Sequence, residues 1–151
     1  MLAISSLTLS FFRERFMTLA VRVISPDRTI WDAEAEEVVL PSTTGQLGIL
    51  SGHAPLLTAL DIGVLRVRAD KDWVAIALMG GFAEIEDNEV TILVNGAERG
   101  DSIDLSNAQT EYTSAKSNVD QVSADDKQAV IRARKSLKKA RARVQAAGGS
   151  I

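Results

Sequence analysis

From residue 19 to about residue 103, short runs of Val, Ile and Leu are interrupted every few positions by Gly, Pro, Asp or Asn. Apolar runs bounded by turn formers predict strands. Leu65 and Val67 alternate with Arg66 and Arg68, which predicts one buried and one wet face. Residues 73–79 (WVAIALM) are apolar at every position. A strand of that kind lies at the centre of a sheet covered on both sides, or has its outer face buried by a partner. Asp87-Asn88 predicts a turn, and Gly80-Gly81 a break between strands. Seven strands are expected, over 19–25, 38–40, 56–60, 64–68, 73–79, 82–86 and 89–94. With no helical pattern between them, they suggest a β-sandwich or barrel rather than a βαβ fold.

After Asp101 the period changes. Leu105, Ala108, Tyr112, Ala115, Val119 and Val122 recur at steps of three and four, which places them on one side of a helix. Ser123-Ala124-Asp125-Asp126 supplies a break and N-cap residues for a second helix. Val130, Ala133, Leu137, Ala140, Val144 and Ala147 repeat the spacing until Gly148-Gly149 ends the run. Two such stripes joined by a short turn predict an antiparallel helical hairpin. The expected chain is α+β: an extension over 1–16, expected to be disordered, an antiparallel β-sandwich over 17–103, a hairpin over 104–147 and a tail over 148–151. The seam is rich in alanine and buries little area at ~25 cal/mol per Å² of apolar surface. It suits either a mobile hairpin or one docked permanently on the sandwich.

Composition narrows the function classes. The 151 residues include no cysteine, which removes disulfide scaffolds, thiol enzymes and cysteine-ligated zinc. No apolar run approaches the roughly 18 residues that cross a bilayer, so any membrane association is expected to be peripheral. The net charge of −3 hides an asymmetry. Residues 18–104 carry six positive and fifteen negative side chains, and residues 105–151 carry nine and four. An acidic body with a basic end is common in chains with two functional parts.

Candidate chemistry is sparse. His53, the only histidine, lies in Gly45-Gln46-Leu47-Gly48-Ile49-Leu50-Ser51-Gly52-His53-Ala54-Pro55, which the glycines and proline mark as a shaped loop. The loop lacks the strand-to-helix context of a dinucleotide fingerprint. It reads as a structural loop with a satisfied histidine or as a binding loop on a rigid scaffold. The acids at Glu34, Glu36 and Glu37, and at Glu84, Glu86, Asp87 and Glu89, suit a solvated face better than a metal site or a catalytic pair. With no nucleophile beside a base, no phosphate loop and no ligand spacing, neither an enzyme nor a metal or cofactor is expected. The strongest charge signal is Lys127, Arg132, Arg134, Lys135, Lys138, Lys139, Arg141 and Arg143, with no acid from residue 127 onward. Like charges at i, i+3 and i+4 disfavour an isolated helix, so an acidic partner stabilises it. The pI of about 5.2 and the lack of an aromatic stacking set argue against nucleic acid.

Three segments carry a resemblance. They are Val21-Arg22-Val23-Ile24-Ser25-Pro26-Asp27-Arg28; Leu40-Pro41-Ser42-Thr43-Thr44-Gly45 through Pro55-Leu56-Leu57-Thr58-Ala59-Leu60; and Met79-Gly80-Gly81-Phe82-Ala83-Glu84 with Val90-Thr91-Ile92-Leu93. Together they resemble the ε subunit of F-type ATP synthases in its cyanobacterial and chloroplast form, from Met17 to about Ala147. The resemblance implies a noncatalytic β-sandwich and helical hairpin on the central rotor, coupling proton-driven rotation to ATP synthesis. Its partners are then the γ subunit, the membrane-embedded c-ring and the α and β subunits. The hairpin of the family lies folded on the sandwich or extends along γ, where it restrains ATP hydrolysis. Arg132, Arg134, Lys135, Lys138, Lys139, Arg141 and Arg143 then face an acidic target on the β subunit.

By the same resemblance Gly45, Gln46, Leu47, Gly48 and His53 match a c-ring-facing loop, although many relatives carry an acid where Gln46 stands. Some bacterial members bind ATP through an Ile/Leu-Asp-x-x-Arg-Ala motif, to which Ile103-Asp104-Leu105-Ser106-Asn107-Ala108 corresponds. Asp104 and Ala108 are retained, but Asn107 replaces the arginine and removes a bidentate phosphate donor, which implies weak or no ATP binding. Placement at a thylakoid membrane, on its cytoplasmic or stromal side and through the complex rather than directly, is likewise implied by resemblance to photosynthetic members. The rival reading from charge alone is a free-standing β-sandwich adaptor with a polyanion-binding helix.

Overall fold

The computed structural model describes residues 18–151, so the extension expected over 1–16 lies outside the described residues. Eight strands come first: β1 (Leu19–Ile24), β2 (Thr29–Ala35), β3 (Glu37–Ser42), β4 (Gly45–Leu50), β5 (Leu56–Ala69), β6 (Asp72–Glu86), β7 (Glu89–Val94) and β8 (Ala97–Arg99). A 3-10 turn (Gly100–Ser102) leads to helices α1 (Leu105–Gln121) and α2 (Lys127–Ala146). The strands hydrogen-bond in the order β2-β1-β7-β6-β5-β3-β4, with β8 on β6. Every pairing is antiparallel except β1 with β7.

β5 and β6 are long enough to serve both layers of the sandwich. The first half of β5 and the second half of β6 join β7, β1 and β2, whereas their other halves join β3, β4 and β8. Each therefore unites two strands expected separately. Leu60 pairs with Gly81 and Ile62 with Met79, but Asp61 and Gly80 between them are unpaired, and there the hairpin bends. Gly81 permits the bend because its φ is +153° and a Cβ would sit 2.1 Å from the Leu93 carbonyl oxygen. The break expected at Gly80-Gly81 is thus a kink inside one strand.

Three strands escape the sequence pattern: β2, β4 and β8. β2 and β4 end the strand order, and β8 is three residues long. Edge strands bury little, so their apolar signal is weak. In β4 only Leu47 and Ile49 pack with the core, so the residues expected to form a loop from Gly45 to Leu50 form an edge strand instead.

Between the layers lie Leu19, Val21, Val23, Val38, Leu40, Leu65, Val67, Ile76, Leu78, Ile85, Val90 and Ile92, all essentially inaccessible. Alternation places them there, since Ala20, Arg22 and Arg66 on the opposite faces are exposed. Residues 73–79 are apolar on both faces for a reason the fold supplies. Ile76 and Leu78 point into the sandwich, while Ala75, Ala77 and Met79 lie in a second cluster with the hairpin.

That cluster adds Ile62, Val64, Ile103, Ala108, Ala142, Val144 and Ala146. Asp104 caps α1 by accepting from the Asn107 N–H at 2.9 Å, and Asp126 caps α2 by accepting from Ala129 at 3.0 Å. The C-terminus of α2 closes with Gly149 N–H donating to Val144 O and Gly148 N–H to Gln145 O, a Schellman arrangement.

Candidate functional site

The docked hairpin is the first candidate. Every seam residue is buried or half-buried: Leu105, Ala108, Tyr112, Ala115 and Val119 on α1, and Val130, Ala133, Leu137, Ala140 and Val144 on α2. A second ridge escaped the periodicity because a cation interrupts it. Lys138, Ala142 and Ala146, four apart, share a face of α2. Ala142 and Ala146 are buried with the sheet, and Lys138 Nζ donates to Asp61 Oδ2 at 3.1 Å, at the β5–β6 bend. The main chain comes closest at the hairpin root, where a Cβ on Gly100 would meet the Ala146 carbonyl oxygen at 1.9 Å. Toward the tip the packing thins, and Ile131 is 65% exposed.

Arg143 forms the main electrostatic joint. Its Nε and Nη2 donate to Glu98 at 2.9 and 3.2 Å, and its Nη1 donates to Glu111 on α1. One guanidinium thus ties α2 to β8 and to α1. The Glu98 hydrogen bonds raise its pKa further above the usual arginine value against the opposing effect of burial, so it stays charged. The Asp61 carboxyl is lowered chiefly by the hydrogen bond from Lys138. Arg132, Arg134, Lys135, Lys139 and Arg141 are exposed and make no ion pair among the described residues.

Of the nucleotide-motif residues, the Asp104 carboxylate is engaged in the helix cap, Ala108 is fully buried and Asn107 is exposed. Arg143, which reaches Glu111 on α1 from α2, is a residue that sequence reasoning placed on the basic helix without its partners. Glu98, Glu111 and Asp61 were missed, since contacts across 45, 32 and 77 positions leave no local pattern.

The second candidate divides in two. Gly45, Gln46, Leu47 and Gly48 belong to edge strand β4, where Gln46 and Gly48 are exposed and Leu47 is half-buried. His53 sits beyond the other end of that strand, in the β4–β5 connection. Five steps at 3.4 Å put roughly 17 Å between Gly45 and Leu50. The expected single loop is therefore two surfaces. His53 N–H donates to Leu50 O at 3.2 Å, and its Nδ1 lies 2.6 Å from Ala54 O. A carbonyl only accepts, so Nδ1 carries the hydrogen in this contact.

Near that loop lies a further surface that the sequence reading did not single out. Leu57, Phe82 and Leu93 are 72, 58 and 53% exposed, and Phe82 pairs with Leu93 across β6 and β7. The signal was an apolar residue in the solvent-facing phase of strands whose other phase, Ala83, Ile85, Ile92 and Val94, is buried. Among the described residues no helix is long and apolar enough to cross a membrane.

Comparison with known proteins fits this two-part architecture. Residues 18–100 match the family described as ATP synthase, Delta/Epsilon chain, beta-sandwich domain, and residues 101–148 match its long alpha-helix domain. A Nostoc punctiforme chain named ATP synthase epsilon chain is 69% identical over 137 residues, 89% of this chain and all of that one. The chain of the same name from Thermosynechococcus vestitus is 65% identical over 136 residues, 89% of this chain and 99% of that one. In fold alone, a chain in the Euglena gracilis mitochondrial ATP synthase structure of OSCP, F1 and c-ring is similar at TM-score 0.74 and 20% identity, covering 87% of this chain and 81% of that one. With both of its parts matched in order and near-complete relatives at this identity, the chain belongs to the ATP synthase delta/epsilon family.

Proposed function

We propose that this chain is the ε subunit of a photosynthetic F-type ATP synthase, a noncatalytic part of the central rotor that couples proton-driven rotation to ATP synthesis and restrains ATP hydrolysis through its hairpin. The observation that carries the regulatory part is the docking of α2. Its buried contacts are mostly alanine, two ion-pair sites hold it, and five cations face outward. A helix held this way can leave the sheet and offer its charges to an acidic surface on the α and β subunits, where complementary charge guides the encounter. The sandwich remains with γ and the c-ring, and Gly45–Leu50 and the His53 connection are its two contact candidates. The subunit then sits peripherally at the thylakoid membrane, on the cytoplasmic or stromal side, a placement supported by the cyanobacterial source of its relatives.

The test is ATP hydrolysis by a purified α, β and γ complex titrated with the full chain and with a folded version ending at Asp104. Saturable inhibition by the full chain that is lost on truncation is expected. Equal inhibition by both forms overturns the hairpin's role, and binding by neither overturns the subunit assignment. The same reading gives nucleotide binding little support, because Asp104 is occupied as a cap and Asn107 is uncharged. Calorimetry with MgATP at millimolar concentration is expected to detect no saturable binding heat.

A further inference from the structure

The β6–β7 turn makes contacts beyond its own hairpin. Asp87 and Asn88 form a two-residue connection between paired Glu86 and Glu89, with φ of 49° and 62°. Asn88 suits this left-handed position, which most side chains avoid. Its carbonyl accepts from Ala20 N–H at 2.8 Å, at the start of β1. Its side chain turns the other way, and Oδ1 accepts from Gly52 N–H at 2.7 Å. Gly52, itself at φ +84°, immediately precedes His53 in the β4–β5 connection.

We infer that Asn88 is a positioning residue for rotor assembly: its side-chain carbonyl holds the Gly52-His53 segment in the one conformation in which a rotor partner meets it. The inference rests on the proposed rotor function and deepens it by naming what shapes one contact surface. Position supports it. The bond spans 36 residues and ties an exposed connection to a turn that also anchors β1. Because it is exposed, it contributes little to the stability of a sandwich whose core is closed elsewhere. What it governs is the population of one loop conformation, and a partner docking on that loop senses this population directly.

Two substitutions separate this role from a general structural one. Asn88→Gly keeps the left-handed turn without strain and removes only the acceptor. Asn88→Asp keeps an acceptor oxygen in place. In the full-length protein, amide exchange at Gly52 and His53 is expected to rise about threefold to tenfold in Asn88→Gly, the range of one net hydrogen bond. It should stay near wild type in Asn88→Asp, with the thermal midpoint nearly unchanged in both. Affinity for purified photosynthetic ATP synthase depleted of its ε subunit is expected to fall by a similar factor in Asn88→Gly alone. Unchanged exchange overturns the tether. Faster exchange with unchanged affinity overturns the positioning role while leaving the rotor assignment standing. If the wild-type protein itself does not rebind, the rotor assignment fails and the inference falls with it.

Discussion

Lys71 holds a conformation that suits it poorly. Asp70 and Lys71 connect β5 to β6 with φ of 52° and 70°, and two-residue turns of that shape favour Asp-Gly. Lys71→Gly is therefore expected to stabilise the protein by up to about 1 kcal/mol, visible as a higher thermal midpoint. Gly100 shows the opposite constraint, since its missing side chain is what lets α2 reach the sheet. Gly100→Ala is expected to destabilise hairpin docking by about 1–3 kcal/mol, the usual range for overpacking. Hydrogen exchange should then lose protection in residues 105–147 while β1, β6 and β7 keep theirs. Glycine can be read in a sequence, but Gly100 sits opposite Ala146 only after the hairpin folds back. The left-handed pair at Asp87-Asn88, by contrast, was legible as a turn from residue type alone.

Among the elements, α2 has the most divided allegiance. Its buried stripe of Val130, Ala133, Leu137, Ala140 and Val144 was readable because apolar side chains recur at helical spacing. Its ridge toward the sheet was not, because Lys138 stands in line with Ala142 and Ala146. The two ion-pair sites on this helix differ in weight. Lys138 and Asp61 are both about half exposed, which limits their pair to under about 1 kcal/mol. Arg143 is 24% exposed and binds two carboxylates, so Arg143→Met, which also strands part of Glu98, is expected to cost about 2 kcal/mol of docking. Exchange rates across α1 and α2 should rise more in Arg143→Met than in Lys138→Ala. The opposite order would show that α2 is held at its middle rather than at its root.

For the whole molecule, docking joins a basic hairpin to an acidic sandwich, which makes it sensitive to salt and nearly indifferent to neutral pH. The Asp61 carboxyl lies below its ordinary value because of Lys138, so its contribution is fully present above about pH 4 and is lost as pH falls through the lowered value. Arg143 is shifted upward, so its contribution is lost only at extreme alkalinity. Helix protection is therefore expected to stay level from about pH 5 to 9 in these two sites, to fall in acid, and to weaken with added salt as the exposed pair is screened. A strong dependence of protection on pH near neutrality in the unsubstituted protein would contradict this account.

Alternating and helical periods, turn residues and charge asymmetry by themselves determined the two-part α+β architecture, the N-cap and end of α2, and which side of each helix is withdrawn from solvent. These are local properties, written within a few residues of where they act. Tertiary structure alone decided that 56–60 and 64–68 are one bent strand, that Gly45–Leu50 is an edge strand, and that His53 lies apart from Gln46. It also decided which acids hold Arg143 and Lys138, and that Asn88 holds Gly52. Those outcomes depend on contacts tens of residues apart, and an edge strand or a single long-range hydrogen bond buries too little apolar surface to leave a period behind.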